Sequence, residues 1–112
     1  MLSKDLVAAS SRPMVLSILE KGESYGYEIL KTIRDRSGEK IEWKDGMIYP
    51  LLRKLENEGL IESFWKTAES GRRRKYYRIK STGEKYLEEQ KAQWALVNSV
   101  FDQLWGEKIC LT

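Results

Sequence analysis

The stretch LIESFWKTAESGRRRKYYRIK, residues 60–80, decides the fold of this 112-residue chain. Side chains of residues 60–66 alternate with a period close to two, and residues 75–80 include Tyr-Tyr-Arg-Ile, a run rich in strand formers. The polar link between them, residues 67–73, contains Gly71. We therefore expect two strands joined in a β-hairpin, with its tip at this link.

The second half of this stretch, residues 71–80, carries a local excess of positive charge. It contains six cations and no acid: Arg72, Arg73, Arg74, Lys75, Arg78 and Lys80. Removing these six from the 20 Lys and Arg residues leaves 14 cations against 17 Asp and Glu, a net charge of −3. A cationic strip beside aromatic residues favours a polyanion partner, because neutralising phosphates releases counterions. The alternative interpretation is a solvated charge run in a loop.

Before the hairpin, apolar periodicity first predicts two helices. The first has an apolar stripe that ends at a Lys-Gly turn: Leu6, Val7, Met14, Val15, Ile18 and Leu19. Pro13 has no backbone donor, so this helix either starts near Pro13 or kinks there. Ser24 is predicted to cap a second helix over residues 25–36, which a Ser-Gly pair ends. The connector that follows, residues 39–44, is predicted to be extended.

A third helix is predicted from about Asp45 or Gly46 to Glu58, with Gly59 as the residue after its end. Its buried face comprises Ile48, Leu51, Leu52 and Leu55, and its other face comprises Met47, Tyr49, Arg53, Lys54 and Asn57. Pro50 deletes a backbone hydrogen bond about one turn inside, so we expect an irregular or late first turn.

Ser81 or Thr82 is predicted to cap a last helix of about 25 residues, from Gly83 to Glu107. Its apolar residues recur at spacings of seven, three, four and three: Leu87, Trp94, Val97, Phe101 and Leu104. This is a coiled-coil-like stripe, and one small domain cannot cover it fully. We therefore expect these residues to form a symmetric dimer, with a further face of the helix packed on the first helix of the same chain.

Composition argues against several classes of function. The chain has no histidine and one cysteine, Cys110, so it cannot build a Ser-His-Asp or Cys-His site and does not suit a zinc site. A glycine-rich phosphate loop is also missing. We therefore expect no enzyme, no cofactor and no metal; the alternative is an enzyme of unusual type that uses a pair of carboxylates from the 17 acids. A lone cysteine excludes an internal disulfide and suits a reducing compartment. Without a signal peptide or a long apolar run, the chain is expected to be cytoplasmic and to bind no membrane.

Three helices followed by a two-stranded hairpin is the order of a winged helix-turn-helix. In this fold the third helix enters the DNA major groove and the hairpin projects sideways as a wing. We expect a mainly α protein with a small β-hairpin. We expect residues 1–80 to form the DNA-binding domain and residues 81–112 to form the long C-terminal dimerisation helix, packed together as one compact unit.

Four motifs follow one another within roughly residues 12–90. They are SYGYEI from Ser24, DGMIYPLLRKLE from Asp45, EGLIES from Glu58 and GRRRKYYR from Gly71. In order and spacing they resemble the PadR family of bacterial transcriptional regulators. The resemblance implies a homodimeric winged helix-turn-helix that represses by binding an operator, often with relief by a small molecule. The single C-terminal helix is similar to that of the small PadR subfamily, which includes multidrug-responsive repressors, whereas Pro13 departs from the family pattern.

The candidate DNA contacts divide between the third helix and the wing. On or beside the helix they are Lys44, Met47, Tyr49, Arg53 and Lys54, and in the wing they are Gly71, Arg72, Arg73, Arg74, Lys75 and Tyr76. Lys44 and Tyr49 lie near the N-terminal end, which recognition helices direct at the bases, and Arg53 is assigned to the groove or to a phosphate. Gly71 has no side chain and so permits a close approach of its backbone to the DNA. Since strand side chains alternate, either Tyr76 or Tyr77 faces the core, with Tyr77 inward preferred.

Trp94 is the candidate effector residue. Two copies related by a twofold axis could lie face to face and leave a flat slot, which suits planar aromatic or cationic compounds. The family resemblance implies a tryptophan that lines a pocket at the dimer centre. Its neighbours would be Leu6, Ala9, Arg12, Val97, Asn98 and Phe101. The alternative is that Trp94 is plain dimer core.

Together these features predict a dimeric DNA-binding transcriptional regulator. We expect a repressor of its own or a neighbouring transporter or stress operon, relieved by a small aromatic ligand at the dimer centre. The alternative is a winged-helix protein-interaction module without a specific operator, whose basic wing meets an acidic partner. Salt-sensitive, sequence-selective binding to duplex DNA separates these two functions.

Overall fold

The computed structural model describes residues 2–110, with the side chains of residues 2–106. Along the chain the elements are α1 (Lys4–Glu20), β1 (Ser24–Tyr25), α2 (Gly26–Arg36), α3 (Asp45–Asn57), β2 (Ile61–Thr67), β3 (Arg73–Ile79) and α4 (Ser81–Cys110). The chain is mostly helical with a small antiparallel sheet and a long C-terminal helix, so the predicted fold class is confirmed. The side chain of Cys110 and the last two residues of the predicted C-terminal segment lie outside the described residues.

The sheet has three strands in the order β1-β3-β2, one more than the predicted hairpin. β1 supplies the third strand, in which Ser24 pairs with Tyr77 and Tyr25 pairs with Tyr76. The prediction that Ser24 caps α2 is therefore wrong, because its backbone belongs to the sheet and Tyr25 holds the N-cap position. The Ser24 hydroxyl still contacts the first turn of the helix by donating to Glu28 Oε1 at 2.6 Å.

The hairpin closes with a tight turn at the predicted tip. The Gly71 amide donates to the Ala68 carbonyl at 2.9 Å, and the Ala68 amide donates to the Arg72 carbonyl at 2.8 Å. Gly71 has a φ of 86°, in the left-handed region, as in a three-residue hairpin loop with a glycine bulge. β3 begins at Arg73 rather than at the predicted Lys75, so two more cations belong to the strand instead of the loop.

One core lies between the helices and the sheet. Its buried side chains are Val15, Leu16, Leu19, Ile29, Ile33, Trp43, Ile48, Leu52, Leu55, Leu60, Ile61, Tyr77 and Leu87. Met47 packs against this core and lines a groove with Val7 and Ala8 of α1, so it does not face outward with Tyr49 as predicted. Leu87, which the apolar stripe assigned to the dimer, is fully buried within its own chain. The first turns of α4 are therefore part of the monomer core.

Both prolines lie inside helices. α1 begins well before Pro13, with the Ser3 side chain as its N-cap, so a start near Pro13 is wrong. Pro50 lies inside α3, but the first turn of that helix is not late. The amides of its third and fourth residues both donate to the Lys44 carbonyl, at 2.9 and 3.1 Å.

α4 docks its first turn on the turn between α3 and β2. The Thr82 hydroxyl donates to the Gly59 carbonyl at 2.5 Å, and the Lys80 amide donates to the Leu60 carbonyl at 3.0 Å. Gly83 is buried there, and a Cβ on it would lie 2.1 Å from the Leu60 carbonyl oxygen. Farther along, large apolar side chains of α4 are exposed: Leu96, Val97, Val100, Phe101, Leu104 and Trp105. Among residues 2–110, none of the helices combines the length and hydrophobicity that spanning a bilayer requires.

We expect Gly83→Ala to lower the free energy of unfolding by about 2 kcal/mol, because the added methyl collides with a hydrogen-bonded backbone carbonyl. Gly46→Ala is the matched control. Gly46 also lies in a helix, but a Cβ there meets nothing within 4 Å, so its effect should stay within about 0.5 kcal/mol. Urea unfolding at one fixed protein concentration measures both. Equal effects of the two substitutions would contradict the docking of α4 on this turn.

Candidate nucleic-acid interface

A cleft of about 640 Å³ lies between α3, the start of α2 and β3. Its lining residues are Tyr25, Gly26, Tyr27, Tyr49, Arg53, Glu56, Arg72, Arg73, Arg74, Lys75 and Tyr77. Six of the predicted DNA-contact residues meet here, two from α3 and four from the wing, which comprises β2, β3 and the tip between them (residues 61–79). The tertiary structure thus brings the third helix and the cationic strand to one opening.

The other predicted contacts do not line the cleft: Lys44, Met47, Lys54, Gly71 and Tyr76. The two lysines are exposed near the two ends of α3, and the methionine packs on the core. Gly71 is exposed at the tip, where the turn itself requires its left-handed backbone. Tyr76 packs on the opposite face of the sheet, with its ring 5.2 Å from that of Tyr25 and 5.9 Å from that of Phe64.

Tyr77 forms part of the buried wall of the cleft. It is 5% exposed, so the preferred assignment with Tyr77 inward is confirmed. Burial raises the pKa of its phenol above the ordinary value, and the nearby Glu56 carboxylate raises it further. A phenol is already neutral at physiological pH at its ordinary pKa, so Tyr77 brings no negative charge to the cleft. Glu56 itself accepts a hydrogen bond from the Ser63 hydroxyl at 2.5 Å.

Tyr49 packs directly on the backbone of Gly26, the first residue of α2. A Cβ on Gly26 would lie 2.5 Å from Tyr49 Cε1, so only a glycine leaves room for the ring in this position. Residues 25–27 were not predicted from the sequence to contact DNA. The sequence does show a glycine between two tyrosines, which could have drawn attention to this segment. Only the contact with α3 shows that the glycine leaves room for the Tyr49 ring.

The cleft is positively charged because its cations have no acidic partners. Five cations line it, and none of them forms an ion pair with any described side chain: Arg53, Arg72, Arg73, Arg74 and Lys75. Glu56 is the one acid among the lining residues. Other wing cations are neutralised, since Lys66 Nζ lies 2.7 Å from Glu23 and Arg78 Nε lies 2.9 Å from Glu62. The uncompensated charge of the wing is therefore concentrated at the cleft, where it can attract phosphates.

A second groove, of about 410 Å³, lies between α1 and α4. It is lined by Ser10, Pro13, Met14, Ser17, Ile33, Leu87, Lys91, Trp94 and Asn98. Two of the predicted effector residues are in this set, Trp94 and Asn98. The others do not line the groove within one chain: Leu6, Ala9, Arg12, Val97 and Phe101.

Arg12 has a structural partner instead. Its guanidinium pairs with Glu58 at the end of α3, and its Nε donates to Tyr86 Oη of α4 at 3.3 Å. The hydrogen bond from Arg12 lowers the pKa of the Glu58 carboxyl. Arg12 therefore joins α1, α3 and α4 rather than facing Trp94, because the neighbouring carboxylate and phenol offer it hydrogen bonds that an aromatic pocket lacks.

Known proteins share the fold of this chain. Residues 15–89 match the model of the transcriptional regulator PadR-like family. The structure superposes on a transcriptional regulator from Clostridium thermocellum with a TM-score of 0.82, at 35% identity over 92% of this chain and 97% of that one. It is also similar to a PadR-like transcriptional regulator from Bacillus cereus, with a TM-score of 0.81 and 31% identity over 91% and 97% of the two chains.

A longer regulator is also similar to this chain. The negative transcriptional regulator PadR of Bacillus subtilis is 33% identical to this chain over 75 residues. These residues are 65% of this chain and 40% of the relative. The similarity therefore covers less than half of that longer protein.

We expect Gly26→Ala to displace the Tyr49 ring from its packed position while costing less than about 1 kcal/mol of stability, because the exposed ring can rotate away. The NMR signals of the Tyr49 ring protons should shift in the variant. In a Tyr49→Ala background the same substitution should cost no stability, since nothing then occupies the site. Unshifted ring signals, or an equal cost in both backgrounds, would refute the contact.

Proposed function

This chain belongs to the PadR-like family of transcriptional regulators, and on that premise we propose that it is a homodimeric repressor that binds an operator. Members of the family are transcriptional regulators and not enzymes, as the composition predicted. Repression is supported by the Bacillus subtilis relative, which is named a negative regulator. The proposed target is the chain's own operon or a neighbouring transporter or stress operon.

The observation that carries the DNA-binding proposal is the shared cleft of α3 and the wing. α3 enters the major groove, and Lys44 and Tyr49 near its N-terminal end contact base edges. Arg53 and Lys54, farther along the same helix, contact phosphates. The four cleft cations of the wing hold the adjacent backbone, which positions the helix without reading sequence.

The dimer proposal rests on the exposed apolar face of α4. Trp94, Val97, Phe101 and Leu104 retain the predicted coiled-coil spacing after Leu87 is assigned to the core. A monomer in water gains nothing from exposing this face, whereas a second copy of the same helix covers it. A twofold axis through this contact presents two copies of α3 to the two half-sites of an operator.

The effector proposal rests on Trp94, which is half-buried in the groove between α1 and α4. In the dimer, the corresponding tryptophan of the second copy would face it across the axis and form a slot for a planar aromatic ligand. Because α4 also carries the dimer contact, a ligand that prefers one arrangement of the two copies changes the spacing of the two α3 helices. Only such a preference relieves repression.

Arg73→Ala should weaken operator binding and reduce the slope of log affinity against log salt by about 1, because one phosphate contact is lost. Lys85→Ala is the control, since Lys85 is an exposed cation beside Gly83, at the opposite end of the hairpin from the tip. Salt titrations by fluorescence anisotropy, with duplex from the gene's upstream region and with scrambled duplex, measure both variants.

Two results would redirect this proposal. An unchanged affinity and slope in Arg73→Ala would remove the wing from the DNA interface. Weak and equal binding of the wild-type protein to both duplexes would instead favour the protein-interaction module without a specific operator, whose basic wing meets an acidic partner.

Val97→Glu should convert the dimer to a monomer, because it places a charge in the apolar contact, and operator affinity should fall with it. Sedimentation equilibrium measures the change from twice the 13.1 kDa chain mass to a single chain mass. Ser99→Glu is the matched control. Ser99 is exposed on the same helix but lies about 200° around its axis from Val97, so the dimer should persist. A dimeric Val97→Glu protein would place the contact elsewhere.

A further inference from the structure

The cations of the wing lie over aromatic rings, and one of these rings is on the outside of the protein. The guanidinium carbon of Arg73 lies 5.1 Å from the centre of the Trp65 ring. Trp65 is 59% exposed, so it contributes little to the core. Burial in the core therefore does not explain why a large indole lies on this strand.

Strand pairing places Trp65 on the same face of the wing as two of the cleft cations, Arg73 and Lys75. Trp65 is opposite Lys75, and two residues farther along β3 Tyr77 faces the core. Because side chains alternate along both strands, the indole shares the face of Arg73, Lys75 and Tyr77. It lies beyond the edge of the core, on the part of this face that projects toward the tip.

The contact with the Trp65 ring is the side-chain interaction that the structure describes for Arg73. Its side chain forms no ion pair with any described residue, and it lies on the strand rather than in the loop. A guanidinium that lies over an indole ring in a cation–π contact keeps its N–H groups free to donate to an anion. An arginine ordered in this way loses fewer rotamers when it binds than one that moves freely.

We propose that Trp65 is a positioning residue for DNA binding: it holds the Arg73 guanidinium extended so that it meets the DNA backbone in a ready conformation. This inference rests on the proposed function, since the anion that Arg73 meets is the operator. The indole acts through the arginine and does not itself contact a base.

Phe64 provides a matched comparison on the same strand. Its ring also carries a cation, with the Arg78 guanidinium carbon 4.2 Å from the ring centre, but on the opposite face. That cation is neutralised by Glu62, and the Phe64 ring stacks on Tyr76. Phe64 is also the less exposed of the two aromatic residues. A purely structural role therefore predicts that replacing Phe64 harms the protein more than replacing Trp65.

The test compares Trp65→Leu, Trp65→Phe and Phe64→Leu in the salt titration. We expect Trp65→Leu to weaken duplex binding about threefold to tenfold, the effect of losing one exposed cation–π restraint and freeing one side chain. The salt slope should remain that of the wild type, because Arg73 still reaches the phosphate. Trp65→Phe should recover most of the affinity, and Phe64→Leu should change it less than about twofold.

A double-mutant cycle gives the sharper outcome. In an Arg73→Ala background, Trp65→Leu should cause no further loss, because the ring then has nothing to position. The same fold loss in both backgrounds would overturn the proposal and make Trp65 a DNA contact in its own right. An equal or larger loss with Phe64→Leu would overturn it in favour of a structural role.

A measurement without DNA separates this proposal from the proposed function. In the free protein the NMR signal of the Arg73 Nε–H should carry a ring-current shift that disappears in Trp65→Leu. A signal that does not respond refutes the positioning role even if the operator is bound as proposed. If the wild-type protein shows no preference for its upstream duplex, the operator proposal fails. The ring-current shift of Arg73 and the affinity of the Trp65 variants for any duplex still test the positioning role of Trp65.

Discussion

The orientation of β3 is the constraint on which the rest of the structure depends. β3 is the central strand of the sheet, hydrogen-bonded to β1 on one edge and to β2 on the other. Burial of Tyr77 sets which face turns inward, and Arg73 and Lys75 on the same face then emerge beside α3. A slip of one residue in the pairing of β3 would bury Tyr76 in place of Tyr77. It would also turn Arg73 and Lys75 to the other face and bring their neighbours to the cleft. The register of β3 that buries Tyr77 in the core is therefore also the register that places the positive charge beside α3.

Concentrating positive charge on one strand has a cost in like-charge repulsion, and the structure offsets it without neutralising the cleft. Aromatic faces lie under several of the cations: Trp65 under Arg73, Tyr25 under Arg74 and Tyr77 under Lys75. An aromatic face attracts a cation but leaves its charge in place, whereas a carboxylate would cancel it. Carboxylates are used on wing cations that do not line the cleft, Lys66 and Arg78. The wing cations that pair with carboxylates thus stabilise the fold, whereas the cleft cations, which have no carboxylate partner, keep their charge available to a polyanion.

α4 has two roles along its length. Its first turn is anchored on the Gly59–Leu60 turn and Leu87 completes the core, whereas the later large apolar side chains, from Leu96 to Trp105, are exposed. Arg12 reinforces the anchored part by joining Glu58 at the end of α3 to Tyr86 of α4. The direction in which α4 leaves the domain is consequently tied to the end of the helix proposed to read DNA. Any dimer built on α4 inherits a defined placement of α3.

The sequence by itself determined the features that depend on neighbouring residues. Helical periodicity, the turn at Gly71, the period-two segments and the location of the cationic run all follow from local backbone preference and composition, and the family motifs agreed with them. Contacts between distant residues were decided only by the tertiary structure: the pairing of Ser24 with Tyr77, the fit of Tyr49 on Gly26, and the partners of Arg12. The apolar stripe could not show that Leu87 belongs to the core and Val97 to the surface, because periodicity identifies a face of a helix but not what covers it. What covers a face of α4 depends on where the other elements of the fold end, and a pattern of neighbouring residues does not indicate that.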